Sequence, residues 1–195
     1  MSDSPLRILH ELNSIYDPVV RLDPEEVWRC LGPAGKAREG LNPDVLKATD
    51  FAAAVSKPRG ISRVLNVQSV ERGKIQFESG QVAVGKLLPH LFDGAEGVVF
   101  LIATAGPGVE TEVSELMNRG DHIDGVVLDA GGSAVAMNAA EQIQAQVMWK
   151  VEQAGYKVGP PITPGTEAWD LEGQHTIFRV LDANKIGVSL LGSLL

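Results

Sequence analysis

The stretch GISRVLNVQSV, Gly60 to Val70, runs through Glu71-Arg72-Gly73 into KIQFE, Lys74 to Glu78. Apolar and polar residues alternate on both sides of a short polar break that ends in glycine. That pattern predicts two antiparallel strands joined by a hairpin turn. A hairpin in a chain otherwise rich in helical periodicity argues against an all-parallel, doubly wound sheet. It points to an α+β fold with a largely antiparallel or mixed sheet.

Outward from the hairpin, the elements interleave. Upstream, Leu6, Leu9, Leu12 and Ile15 lie on one stripe and predict a helix over Pro5 to Tyr16, with Ser4 as its cap. Val19 to Leu22 reads as a strand. Asp23-Pro24-Glu25-Glu26 opens a helix with a capping residue, proline at the first helical position and acids in the first turn. Residues 32–40 read as a loop, and Pro43 to Ser56 as a helix. Downstream, Ser79-Gly80 introduces a helix over Val82 to Phe92, and Glu96 to Ala105 is a buried strand. Val109, Val113, Leu116 and Met117 stripe a helix that stops at Gly120. His122 to Ala154 is helical with an expected break at Gly131-Gly132. A proline-rich loop, Gly159 to Gly165, precedes a helix over Leu171 to Leu181 and a strand over Ile186 to Leu190.

The chain has 195 residues, within the range of one domain, and 44% of them are apolar and 22% charged. Seventeen basic residues against 25 acidic ones give a net charge of −8 with no basic block. That balance disfavours nucleic acid and anionic membrane surfaces as partners. The single cysteine, Cys30, excludes an internal disulfide within the chain. Met1 to Pro5 carries no secretory signature, and the longest apolar run, Val98 to Ala105, falls far short of the ~20 residues of a membrane span. The expected compartment is the cytoplasm.

No motif announces an independent catalytic centre. Gly106-Pro107-Gly108 after a buried strand suggests a phosphate cradle, but Thr111 stands where a third glycine is needed, and a plain strand-to-helix turn fits better. Gly35-Lys36, Gly73-Lys74 and Gly85-Lys86 lack the following Ser or Thr of a P-loop. Ser133 lacks the closing glycine of a nucleophile elbow. His10, His90, His122 and His175 fall on separate elements, with no second ligand at zinc spacing. Cys30, beside Trp28 and Leu31, reads as an inert thiol. The most unusual stretch is Gly159 to Trp169, where three prolines stiffen the backbone and Trp169 adds a large flat ring. Such a loop is either the wall of a ligand groove or a crossover whose tryptophan plugs the core.

Several blocks recur in order: Pro164-Gly165, Trp169, Leu171-Glu172-Gly173-Gln174, Ile177-Phe178, Leu181-Asp182-Ala183 and Lys185 to Leu190. With Thr104 to Gly106 and Leu128 to Ser133 leading to Ala139-Ala140, they make residues 96–195 resemble the reactivation domain of vitamin B12-dependent methionine synthase, in its stand-alone form. The resemblance implies a curved single α+β domain over 1–195 with a twisted, largely antiparallel sheet and flanking helices. It implies S-adenosylmethionine as ligand, a cobalamin-binding (corrinoid) protein as partner, and a role in reductive reactivation of that partner. Cobalamin itself would be met only through the partner. Readings from other classes are a methyltransferase-like enzyme using S-adenosylmethionine and a small-molecule binding module on the same fold.

In that family the ligand is held by an Arg-x-x-Pro-Gly-Tyr motif and a Glu of the long helix. Aligning the Pro-Gly pair puts Pro161 at the Arg position and Thr166 at the Tyr position; aligning Ala140-Glu141 puts Ala145 at the Glu position. The resemblance therefore carries over as ligand-binding candidates Thr163, Pro164, Gly165, Thr166, Trp169 and Glu141, with no catalytic residue and no metal ligand. Two charge-assisted hydrogen bonds, roughly 1.5–3 kcal/mol each, are forfeited, so S-adenosylmethionine is expected to bind weakly. The family also continues with a Met-x-Pro-x-Lys-Ser stretch that the 195 residues do not include.

Overall fold

The structure, a computed structural model, describes residues 11–36 and 42–190. Its elements in chain order are β1 (Ser14–Tyr16), α1 (Pro24–Lys36), α2 (Asn42–Val55), β2 (Arg59–Glu71), β3 (Lys74–Phe77) and β4 (Val82–Val84). Then come α3 (Leu88–Leu91), β5 (Gly97–Thr104), α4 (Pro107–Arg119), α5 (His122–Gln153), α6 (Gly173–Val180) and a 3₁₀ turn at Ala183–Ile186. Five strands form one sheet in the order β1-β2-β3-β4, with β5 also paired to β2. The α+β class and the antiparallel sheet hold.

The hairpin is the one the alternation predicts. Glu71 faces Lys74, Val70 faces Ile75, and the register shifts between Val67 and Ser69, where Gln68 is the extra residue of a bulge. Gly73 takes φ +82°, a conformation that closes the two-residue turn without a Cβ penalty. Lys74 Nζ sits 2.9 Å from Glu71 Oε2, and this pairing lowers the Glu71 pKa from its ordinary value.

The chain divides into two compact units of interleaved segments. One draws on Met1–Ile15, Ile61–Ile102 and Gln144–Leu195, the other on Tyr16–Gly60 and Ala103–Ile143. The core of the first contains Ile61, Leu65, Ile75, Phe77, Leu88 and Phe100, with Trp169, Val180, Leu181 and Ile186 from the C-terminal part. Phe77 and Phe100 meet edge to face, centroids 5.4 Å apart.

The second unit is helical. Val27 of α1, Val45 and Ala48 of α2, and Val127, Ala130 and Ala134 of α5 form one cluster; Ala52, Ala105, Val109, Leu128 and Val135 form another. Asp23 and Glu26 make the expected helix start: Glu25 N–H donates to Asp23 Oδ1 and Asp23 N–H to Glu26 Oε2, each at 2.9 Å.

Six expectations need correction. The helix predicted over Pro5–Tyr16 lies outside the described residues as far as position 10; beyond it the chain makes a 3₁₀ turn and then β1. There Asn13 Oδ1 accepts from Val64 N–H, and Ser62 Oγ donates to the Leu12 carbonyl, so the segment is recruited to β2. Val19–Leu22 forms no strand; the Val19 carbonyl accepts from Gln142 Nε2 at 3.0 Å instead. The loop predicted over 32–40 begins as a kink at Gly32 (φ 65°), after which helical turns continue to Lys36; positions 37–40 lie outside the described residues.

The helix expected over Val82–Phe92 is a strand followed by one helical turn. Val82–Val84 adds a third strand beside β3, with Ala83 opposite Ile75, and α3 starts only at Leu88. At the C-terminal end, Ile186–Leu190 is not a strand. Gly187 takes φ +78° and Val188 N–H donates to the Ala183 carbonyl, which closes the 3₁₀ turn and turns the chain away from a ladder.

The break expected at Gly131-Gly132 does not occur, because α5 is continuous. Both glycines are places of close helix approach. A Cβ on Gly131 would lie 2.9 Å from Ala52 Cβ, and one on Gly132 would lie 2.6 Å from Val109 Cγ1. The propensity cost, about 1 kcal/mol per glycine relative to alanine, is offset by the packing that the missing side chains permit. Among the described residues, no helix is long and apolar enough to cross a membrane.

Candidate functional site

The candidate ligand turn follows the end of α5. Gly155 (φ +86°) ends that helix: its N–H bonds to the Glu152 carbonyl, and Tyr156 N–H reaches back to Val151. Residues 156–163 then run without regular structure, stiffened by Pro160 and Pro161. Thr163, Pro164, Gly165 and Thr166 form the turn itself, with Gly165 at φ +87° and Thr166 Oγ1 donating to the Thr163 carbonyl at 2.9 Å.

The turn is closed on itself. Gly165 N–H and Thr166 N–H both donate to the Trp169 carbonyl, at 2.8 and 3.1 Å, and Trp169 N–H returns to the Thr166 carbonyl at 3.2 Å. The Gly165 and Thr166 N–H groups are therefore not free to hold a ligand carboxylate. The side chains left facing outward are those of Thr163 and Thr166, both at exposed positions.

Trp169 does not line a groove. It is 6% exposed and belongs to the core of its unit. Its ring lies so close to α6 that a Cβ on Gly173 would fall 2.3 Å from both Cε2 and Nε1, and one on Gly85 would fall 3.2 Å from Cδ1. Of the two readings the loop allowed, the core plug is the one the structure bears out. Its Nε1 is buried without a hydrogen-bond partner among the described residues.

Glu141 is exposed on α5 and belongs to the helical unit, whereas Thr163 to Trp169 belong to the other. Ala145 and Pro161, at the positions where the resemblance implies a carboxylate and a guanidinium, are also exposed. They offer an S-adenosylmethionine amino-acid end neither charge. The residues present fit that end of the ligand poorly.

The remaining motifs resolve into structure. At Gly106-Pro107-Gly108 a Cβ on Gly108 would lie 2.2 Å from the Val55 carbonyl oxygen, and one on Gly106 would lie 2.8 Å from that of Lys57. Lys57 N–H bonds to the Ala105 carbonyl, and Gly106 N–H to Thr104 Oγ1. These glycines admit the end of α2; they do not frame a phosphate. Ser133 is an exposed helical residue, as are His90, His122 and His175 on their own elements, and His10 lies outside the described residues. No cluster of three or more His, Cys, Asp or Glu fit for a metal occurs among the described residues. Cys30 Sγ lies 3.8 Å from Met137 Sδ, and burial raises its pKa against the opposing pull of Arg29.

No family model matches the chain. None of the curated proteins matches it significantly either. Among solved structures, the MetH reactivation domain bound to AdoHcy matches with a TM-score of 0.62 at 13% identity, over 92% of this chain and 73% of that one. With the α+β order and the antiparallel sheet already established, the chain shares the fold of the MetH reactivation domain.

Proposed function

We propose that this chain is an accessory protein of cobalamin-dependent methyl transfer, acting in the cytoplasm, that docks on a corrinoid protein and assists its reductive reactivation. The observation that carries the reading is the fold match to a reactivation domain over 92% of the chain. In this role the redox chemistry belongs to the corrinoid. This chain's own contribution is a surface that receives the partner. With a net charge of −8, long-range attraction to a basic partner speeds the encounter and weakens with salt. The contact is transient, with a dissociation constant weaker than about micromolar.

The neighbour's AdoHcy gives S-adenosylmethionine as the ligand to test at the turn Thr163–Thr166. Pro161, Ala145 and the engaged N–H groups of Gly165 and Thr166 argue for weak binding. The loss of two charge-assisted bonds corresponds to a dissociation constant of ~0.1 mM or weaker.

The deciding experiment mixes the chain with a Co(II) corrinoid protein, a reductant and a methyl donor, and follows the cobalamin spectrum. Faster loss of the Co(II) signal supports the reading. An unchanged rate across corrinoid partners refutes it and leaves a small-molecule binding module on the same fold.

A further inference from the structure

A cavity of about 460 Å³ opens in the first unit between β2, the C-terminal end of α6 and the segment that follows the 3₁₀ turn. None of the candidate residues Thr163–Trp169 or Glu141 lines it. Arg63 reaches in from β2, Arg179 from α6, and Asn184 from the 3₁₀ turn, while Phe178 and Val188 supply apolar wall. Arg63 Nη1 donates to the Val180 carbonyl at 3.1 Å, a bond that caps the last turn of α6 and fixes the guanidinium at the rim. Arg179 Nη2 donates to Thr176 Oγ1 at 3.1 Å.

A guanidinium carries five N–H donors, so each arginine keeps most of its hydrogen-bonding capacity. Neither forms an ion pair among the described residues. The carboxylate on the wall, Asp182, is already matched by Lys185 Nζ at 3.4 Å. The cavity is thus a locally cationic place in a chain of net charge −8. Its volume lies in the range of small-molecule pockets, with an apolar wall and a few convergent polar groups.

We propose that this cavity is a second small-molecule site, selective for a monocarboxylate on a compact apolar body. The carboxylate pairs with Arg63 and Arg179, whose planar forks match its two oxygens, and the apolar body lies against Phe178 and Val188. Inorganic phosphate has no apolar body to lie against Phe178 and Val188, so it gains only the two guanidinium contacts.

The test uses benzoate as probe, with benzamide and inorganic phosphate as controls, and follows backbone amide signals of the full chain by NMR. Benzoate shifts the signals of Val180 to Asn184 and of Val188 and Ser189 with a millimolar dissociation constant, and benzamide does not. Arg179→Gln and Arg63→Gln each weaken benzoate binding by about tenfold or more. Arg179→Gln leaves the Arg63–Val180 bond in place, so its dispersed spectrum separates a lost site from a lost fold. AdoHcy in excess leaves benzoate bound. The proposal is overturned by any of four results: no shift up to about 20 mM benzoate, where even a millimolar site is saturated; benzamide binding as well as benzoate; phosphate binding more tightly than benzoate; or full affinity in both variants. Displacement of benzoate by AdoHcy overturns the independence of this site from the one under Proposed function.

Discussion

Replacing Trp169 by alanine separates a structural tryptophan from a ligand-facing one. The side chain is 6% exposed and packs with Leu88, Phe77 and Leu181 in the core of its unit, its ring pressed against Gly173. An aromatic of this size buries roughly 150–250 Å², and at about 25 cal/mol per Å² its removal forfeits about 4–6 kcal/mol of transfer free energy. Partial collapse of the cavity reduces this, and buried Trp→Ala changes cost about 3–5 kcal/mol. Against a total stability of roughly 5–15 kcal/mol for a domain, that is a large fraction. For a chain of this length it corresponds to a fall in melting temperature of about 6–20 °C. The assay is urea and thermal unfolding followed by far-UV circular dichroism, because the substitution removes a fluorophore. Trp169→Phe keeps most of the apolar ring and removes the unpartnered Nε1–H, so its cost is much smaller. A Trp169→Ala loss below about 1 kcal/mol, the ordinary effect of an arbitrary substitution, together with weakened AdoHcy binding, would refute the core assignment and restore the groove.

Four shorter predictions follow from the same geometry. Gly108→Ala places a Cβ 2.2 Å from the Val55 carbonyl oxygen, so the end of α2 or the start of α4 must move; calorimetry should show a loss of about 1–3 kcal/mol. Asp23→Ala removes the acceptor for Glu25 N–H and should lower stability by about 1 kcal/mol, read as the urea midpoint. Cys30 should alkylate more slowly than a free thiol near about pH 8.5, its ordinary pKa, because burial raises it further than Arg29 lowers it. A raised thiol pKa means that its stabilising contribution is complete below the unfolded value and is lost as pH rises through the folded one; an alkylation rate matching glutathione would contradict this. The pair Pro161→Arg with Ala145→Glu restores a cation and an anion and should tighten S-adenosylmethionine binding by tenfold or more, about 1.4 kcal/mol; unchanged calorimetric affinity would break the alignment on which it rests.

Where one face of an element decides its state, the residues disclosed it. Alternation through Ile61, Leu65, Ile75 and Phe77 produced the hairpin, since these side chains share the buried face of two paired strands. Asp23 and Glu26 disclosed a helix start because capping is a contact over three residues. What failed depended on distant partners. Val82–Val84 becomes a strand because β3 offers it an edge, whereas the Val19 carbonyl is taken by the Gln142 side chain of α5. Gly131-Gly132 spells a break in the sequence, yet Ala52 and Val109 occupy the space a side chain would need. At the candidate site, the rigid turn around Pro164-Gly165 was legible from proline and glycine alone. That its N–H groups are engaged follows from the Trp169 carbonyl, which no periodicity reports. The cavity was not legible at all, because Arg63 meets Val180 across 117 positions of chain.

Fold and ligand are retained under different constraints, and that difference sets how the functional reading must be tested. A core position such as Leu65 or Val135 accepts any apolar side chain of suitable volume, so the architecture persists at 13% identity with the MetH reactivation domain. A position that pairs with a carboxylate or an ammonium accepts almost no substitute, and Pro161 and Ala145 are no substitutes for charge. Weak S-adenosylmethionine binding would therefore leave a corrinoid-docking role intact, because docking uses surface and charge spread over many residues. Conversely, tight binding alone would not establish that role. The spectroscopic assay on a Co(II) corrinoid protein and the calorimetric one on the ligand address independent properties of this chain. The side chains at Pro161 and Ala145 bear on the second assay alone, where they favour a weak signal.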